Sequence, residues 1–371
     1  MKYLWTLAVL FLCNFLTAQE SENPLFSSFE NYKKAKENTP FQVKWISAGP
    51  VTNSARVEAL QGDPNQPGTM YVAFGSGNLW KTTNNGLDCN PIFETQPTLG
   101  IGDIAIAPSN SEILYLGTGE SLRKNRNFTM PGTGVYRSDD GGETWAHLGL
   151  EETWHIGEIV VHPHNPDIVF VAAMGKFWSE STSKGIYRTI NGGKDWERVL
   201  YINDNTRAND IVIAHSNPKI VYASMWENND NANIAESVYG PNSGIYYSSD
   251  GGSTWKRSKT GLPDDPKIGR IGLAVSYQNA QKVYALMDNR NETEGNSAEV
   301  YQSLNGGFTW KKSHNDTLRI FPGNNIGWYF ADIYVSPTND DEIYSLGVRM
   351  AHSKDGGKTF STVGGNIQHL Q

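Results

Sequence analysis

Six charged residues each stand at the head of an apolar run: Arg56, Asp103, Glu158, Asp210, Arg270 and Asp332. The runs they precede, such as Ile104-Ala105-Ile106-Ala107, Ile159-Val160-Val161 and Ile211-Val212-Ile213, recur along the chain. Alignment of the runs therefore expects the six side chains at one level of a repeated structure. Their order matters for chemistry. Arg270 stands between Asp210 and Asp332, and Arg56 neighbours Asp103, whereas Glu158 has an acid on each side. Neighbouring carboxylates repel, which raises a pKa or recruits a cation. The arc Asp103/Glu158/Asp210 is thus the candidate acid/base pair or cation site, with Glu158 and Asp210 as the catalytic candidates. A structural role competes with this one: a ring of hydrogen bonds and salt bridges locking neighbouring repeats together.

Further candidates lie in the long connections. Glu120, Arg123, Lys124 and Arg126 share one of them, and solvated charge is the better account of these. Trp154, His155, Phe177, Trp178, Trp226, Tyr239, Trp328 and Tyr329 lie in or beside the others. Aromatic faces suit sugar rings and peptides, but they also suit packing of loops over a rim. The candidate ligand-binding set is Arg56, Asp103, Glu120, His155, Trp178, Trp226, Arg270 and Asp332. Hydrolysis of a glycoside needs two carboxylates across a cleft, and no local motif selects two. The sequence holds no His-x-x-x-His, Gly-x-Ser-x-Gly, phosphate-binding loop or Cys-x-x-Cys. No metal ligand set and no cofactor is expected.

The elements that position these residues are set by an octet. Ser138 to Trp145 reads SDDGGETW, and related octets start at 82, 138, 189, 248, 303 and 353. Recurrence every 50 to 59 residues marks a repeat architecture. Each repeat reads apolar strand, tight Pro/Asn/Ser turn, second strand, Gly-hydrophobic-Tyr-x-Ser/Thr strand, octet, and a short fourth strand opened by Trp. Four-stranded units repeated radially make an all-β propeller. The octet is expected at the hairpin between third and fourth strands. Gly-Gly there permits positive φ, the Asp or Asn accepts from turn amides, and the hydroxyl and the indole tie the hairpin to its blade. The long connections, second-to-third and fourth-to-first, emerge on one face, where binding is expected.

The octets resemble Asp-box, or BNR, repeats of secreted β-propellers. The likeness extends to Trp45-Ile46-Ser47-Ala48-Gly49-Pro50, to Leu79–Gly86 and to Gly117–Glu120, and covers about residues 41–363. It points to bacterial secreted proteins labelled BNR-repeat glycosyl hydrolases or sortilin N-terminal-like. Such boxes serve enzymes and non-enzymes alike. The resemblance therefore implies a binding or scaffold propeller taking protein, peptide or glycan on its loop-rich face. The alternative it implies is a polysaccharide-acting glycoside hydrolase with a carboxylate pair on that face.

Met1-Lys2, an apolar run to Leu16 and Thr17-Ala18 read as a signal peptide, residues 1–18. A polar linker, 19–40, with a loose helix or none, precedes the propeller, 41–371. Location is expected to be secreted, periplasmic or cell-surface, without a membrane span. A net charge of −8 with no long basic run argues against nucleic acid. Cys89 sits in an octet's Trp slot and is expected to be a buried hydrophobe. Residues 43–48 align with fourth strands yet have no first three. Six blades are visible, and this orphan strand suits either a larger ring with further blades or a six-bladed ring with one extra strand outside.

Overall fold

The computed structural model of the protein describes residues 23–38, 55–121, 129–177, 181–228, 238–264, 267–290, 298–314, 318, 320–321 and 327–363. The expected leader and the 43–48 strand, with Trp45, lie outside these residues. Among the described residues, twenty-four strands form six four-stranded antiparallel sheets, each in simple sequence order. Blade 1 comprises β1 (Val57–Gly62), β2 (Met70–Phe74), β3 (Asn78–Thr82) and β4 (Asn90–Pro91). Blade 2 comprises β5 (Ile101–Ile106), β6 (Leu114–Thr118), β7 (Val135–Ser138) and β8 (Ala146–His147). Blade 3 comprises β9 (Ile156–Val161), β10 (Val169–Ala173), β11 (Gly185–Thr189) and β12 (Glu197–Leu200). Blade 4 comprises β13 (Thr206–Ile213), β14 (Val221–Glu227), β15 (Gly244–Ser248) and β16 (Lys256–Arg257). Blade 5 comprises β17 (Ile268–Val275), β18 (Val283–Asn289), β19 (Ala298–Ser303) and β20 (Lys311–Lys312). Blade 6 comprises β21 (Asp332–Val335), β22 (Ile343–Leu346), β23 (Met350–Ser353) and β24 (Ser361–Val363). The protein is the all-β propeller of four-stranded blades that the octets imply.

A helix, α1 (Pro24–Glu37), precedes the blades. Asn23 caps it by accepting from Leu25 N, Pro24 fits its first position, and Lys34 and Lys36 lie in the last turn. It docks by its first turn. Asn23 Nδ2 donates to Gly132 O at 3.1 Å, and Phe26 meets the His147 ring edge-on at 4.9 Å.

Each octet closes its hairpin in the same way. Ser138 Oγ donates to Asp140 Oδ1 at 2.7 Å and accepts from Gly142 N at 2.8 Å. Asp140 in turn accepts from Thr144 N and from Thr144 Oγ1, at 2.9 and 2.6 Å. The networks of Ser248 and Ser353 repeat these bonds. Even the worn copy keeps the hydroxyl at the centre, with Gly86 N donating to Thr82 Oγ1 at 2.9 Å. The second glycine needs its freedom: Gly252 has φ +80°, and a Cβ there would meet Phe170 Cε1 at 2.5 Å.

Two expectations about the octets need correction. Trp255 and Trp310 do bond their own hairpins, but Trp145 Nε1 donates to Ile92 O and Trp196 Nε1 to Leu148 O, at 2.9 and 2.8 Å. Those two indoles fasten a blade to the one before it. Cys89, in the same slot of blade 1, is exposed rather than buried.

The core is divided into joints. Five hydrophobic clusters each bridge two consecutive blades, from blades 1 and 2 through to blades 5 and 6. The innermost strands pack in the same series, β1 on β5, β5 on β9, and so to β21. Among the described residues no such cluster joins blade 6 to blade 1. The second-strand aromatic of a blade reinforces its joint. Tyr71 donates to Gly141 O, Tyr115 to Pro166 O, Tyr222 to Ala280 O and Tyr284 to Asp340 O, each in the next blade, at 3.2, 2.9, 2.9 and 2.8 Å.

Replacing Ser248 by Ala leaves the Gly252 amide of a buried turn without its acceptor. The expected loss is about 1–3 kcal/mol of stability, measured by urea unfolding of the purified chain. A change within error would show that the octet hydroxyl does not hold the hairpin.

Candidate functional site

The site lies where the innermost strands begin. The ladder shifts register between Val57 and Ala59, Ile101 and Asp103, Ile156 and Glu158, Ala208 and Asp210, and Ile268 and Ile271. Bulges at one level of successive strands bend the backbone and re-aim side chains. Pairing fixes which residues share that level. The octet's first residue pairs with Leu114, Val169, Val221 and Ile343 in blades 2, 3, 4 and 6. Three residues further along each second strand, the partners are Asp103, Glu158, Asp210 and Asp332. In blades 1 and 5 the same count reaches Ala59 and Gly272. Arg56 and Arg270 start earlier on their strands than the alignment expects.

The two arginines then part company. Arg270 reaches into the carboxylate group, donating to Asp332 Oδ1 and to Tyr329 O, both at 3.3 Å. Arg56 is paired with Glu120 of the 117–133 connection rather than with Asp103. Glu120 is fully buried and also accepts from Met130 N. A fifth carboxylate, Glu58, occupies the bulge of blade 1. Its Oε2 accepts from Ser121 Oγ at 3.0 Å, while Oε1 is buried with no hydrogen-bond partner. Sequence reasoning missed Glu58 because it looked only at the residue heading each run. The bulge-prone position itself was the signal.

Electrostatics follow from crowding. Burial pushes Glu58 up to about 7 against the opposing pull of Ser121, Arg270 and Arg56. Burial raises Asp103 to about 8, opposed by the amides of Ile159 and Ile104. Asp210 rises to about 7, mainly by burial, with the Leu273 amide opposing and Asp332 adding repulsion. Glu158 is raised well above the carboxylate range by burial and by its two flanking acids, Asp103 and Asp210. The repulsion expected around Glu158 is therefore present. So is the structural role: Asp103 Oδ2 accepts from Ile159 N at 2.8 Å and Asp210 Oδ2 from Leu273 N at 2.7 Å, each across a blade joint.

Access separates these acids. Asp103 is buried, whereas Glu158, Asp210 and Asp332 line a cavity of about 200 Å³. Below them its wall is apolar, with Val160, Val212, Leu273, Ala274 and Tyr334, and it runs to His215 and Tyr277, stacked at 4.6 Å. Among the described residues no three His, Cys, Asp or Glu side chains converge closely enough to hold a metal ion.

The aromatic rim is mostly packed. Phe177, Met174, Trp226 and Val238 form a buried cluster, and Trp226 Nε1 donates to Val238 O at 2.8 Å. His155 is buried, stacks on Phe177 at 4.0 Å and shares a hydrogen bond with Glu120 O. Burial, aided by Arg207, lowers its pKa to about 3, so it is neutral and a weak proton acceptor near neutrality. Trp154, Tyr239 and Trp328 are partly buried. Trp178, Arg123, Lys124 and Arg126 lie outside the described residues.

The shifts fix a pH profile. A carboxyl with a raised folded pKa keeps a proton that the unfolded chain releases near pH 4, so its contribution to stability declines as pH rises from about 4 to about 8. The octet carboxylates behave oppositely. Hydrogen bonds from Thr144, Thr254 and Thr359 lower Asp140, Asp250 and Asp355 to about 2, so their stabilisation is lost as pH falls from about 4 to about 2. Maximum stability is expected near pH 4–5. Asp103→Asn, which keeps an acceptor for Ile159 N, should flatten the decline above pH 5. Unfolding midpoints measured from pH 3 to 9 check both statements.

Comparison with known proteins places this geometry. The family model for sortilin, neurotensin receptor 3, matches residues 133–259. The xyloglucanase Xgh74A of Acetivibrio thermocellus is 24% identical over 357 residues, covering 77% of this chain and 39% of that protein. A GH74 enzyme structure from Niastella koreensis superposes with a TM-score of 0.58 at 19% identity, covering 82% of this chain and 46% of that one. The structure titled YCF48 bound to D1 peptide gives 0.51 at 13% identity, covering 83% and 81%. The chain spans less than half the length of the xyloglucanases it matches. No helix among the described residues is long and apolar enough to cross a membrane. The chain is an Asp-box β-propeller, similar to GH74 xyloglucanases over most of its length and to the sortilin family from the third strand of blade 2 to the end of blade 4.

Proposed function

We propose that the protein is an extracellular propeller that acts on glycan, cleaving a glycosidic bond with Glu158 and Asp210. The observation that carries this reading is the cavity, which selects Glu158 and Asp210 from the acidic arc and leaves Asp103 buried. Burial raises both carboxyls, Glu158 the further, and that difference divides them into acid and base. Glu158, raised further by the charges on both sides, holds its proton and donates it to the leaving oxygen. Asp210 is steadied through Oδ2 by the Leu273 amide and acts as the carboxylate partner. The similarity to xyloglucanases supports the substrate class and the location outside the cytoplasm.

The cavity's size constrains the substrate. About 200 Å³ is below the roughly 300–1,000 Å³ of sites for drug-sized ligands. Such a volume suits a chain end or one projecting sugar rather than a length of polysaccharide. A second reading, a binding propeller for glycan or peptide, is favoured by the use of Asp103 and Asp210 as joints between blades. Release of reducing sugar from a polysaccharide panel separates the two. Glu158→Gln and Asp210→Asn should each lower the rate by about 10²–10⁴-fold while glycan binding persists. A silent panel together with saturable glycan or peptide binding would favour the binding propeller and sink the hydrolase.

A further inference from the structure

The acidic cavity has a closed end and an open one. Its lining comes from β9, β13, β17 and β21 and from the first turns that follow β13 and β17. Among the described residues, no member of a long connection lines it. Arg207, Ala208, Ile268, Arg270 and Ala331 stand before the acids on the loop-rich side, each 5% exposed or less. Beyond the acids Val160, Val212 and His215 are partly exposed, Tyr277 is 42% exposed and Tyr334 58%. Solvent therefore meets the cavity at its short-turn end, not beneath the long connections.

That end carries a built surface. The His215 imidazole and the Tyr277 ring, on first turns of adjacent blades, stack at 4.6 Å and 29°. Ala280 N donates to Ser216 Oγ at 3.0 Å, which ties the two turns together and fixes the stacked pair. Burial and the neighbouring His164 lower the His215 pKa, so the imidazole is neutral near neutrality and offers an uncharged face. An aromatic face with a polar edge suits one side of a sugar ring, whose C–H groups lie against it while its hydroxyls stay in water. Asp210 stands only about 10 Å of strand before Ile213, the end of β13, where the turn of His215 begins.

We infer that a glycan enters this cavity from the short-turn face by the end of a chain or branch, with the His215–Tyr277 pair as the seat of its second sugar while the first reaches Glu158 and Asp210. The inference rests on the reading of the cavity as a saccharide site. It adds a direction of entry and a binding residue, Tyr277, outside the acidic ring. About 200 Å³ accommodates the terminal unit, and the pair at the mouth leaves the rest of the chain in solvent. Internal bonds of a polysaccharide do not meet the acids in this geometry, so action is confined to ends. The packed rim then has a role of its own. The Trp226–Phe177 cluster, with Arg207 over the Phe177 ring at 4.7 Å, closes the far end.

Blocking each face in turn tests the direction. In a background carrying Cys13→Ser and Cys89→Ser, Tyr277→Cys marks the short-turn mouth. Asn205→Cys, exposed in the connection before β13, marks the loop-rich face. Each thiol is capped with a polyethylene glycol maleimide. A water-soluble carbodiimide with glycine methyl ester then probes the carboxyls, and peptide mass spectrometry reads coupling at Glu158 and Asp210. The cap at 277 should suppress coupling at both residues, and the cap at 205 should leave it unchanged. Suppression by the cap at 205, by neither cap, or no coupling in the uncapped protein would overturn the direction of entry. The seat is tested by calorimetry with xyloglucan oligosaccharides. Tyr277→Ala should weaken binding about three- to tenfold, and Tyr277→Phe should leave it near that of the unaltered chain. Equal affinity of the Ala variant, or no binding by the unaltered chain, would overturn the seat. Binding that depends on Tyr277 without release of sugar would keep the inference and sink only the hydrolase.

Discussion

The structure depends on one constraint: each sheet is apolar on both faces and can bury neither alone. A single blade is one repeat unit that cannot cover its own apolar faces. Its neighbours supply the missing cover, and the five inter-blade clusters are where that burial occurs. Everything polar in the joints is subordinate to this packing. The tyrosine phenols and inner carboxylates that cross between blades fix how far each sheet is rotated on the next.

The acidic cavity is a by-product of the same arrangement. Sheets packed face to face around an axis bring the starts of their innermost strands together. Whatever stands there is crowded by its equivalents. Three of the six repeats place Asp there and one places Glu, so repulsion is built in by the repeat itself. Main-chain amides offset it at Asp103 and Asp210, and Arg270 offsets it at Asp332. Glu158 is relieved only by the charge of Arg270 among its main causes, and it stands furthest from ordinary carboxylate behaviour.

The octets made the fold legible because their turn chemistry is local. Ser138, Asp140, Gly142 and Thr144 satisfy one another within seven residues, so spacing alone reveals the hairpin. The site was legible only where the inner strands keep one register. Asp103, Glu158, Asp210 and Asp332 were found by aligning runs. Arg56 and Arg270 were misplaced because bulges shift the count without altering the look of the sequence. The partners of Arg56 and Trp145 were out of reach too, since they depend on which blade lies alongside. Cys89 failed for the same reason: its slot is buried only when a neighbour covers it.

The serial arrangement of the joints also sets where the molecule opens first. In a linear array, stability is nearly a sum of blade terms and nearest-neighbour terms. Among the described residues, blades 1 and 6 each carry one joint, and the four between them carry two. Local opening therefore begins at the ends, with exchange of the β1 and β21 amides outpacing that of β13. Glu158 and Asp210 stand on blades 3 and 4, held from both sides. The two acids of the cavity thus sit in the part of the array that opens last.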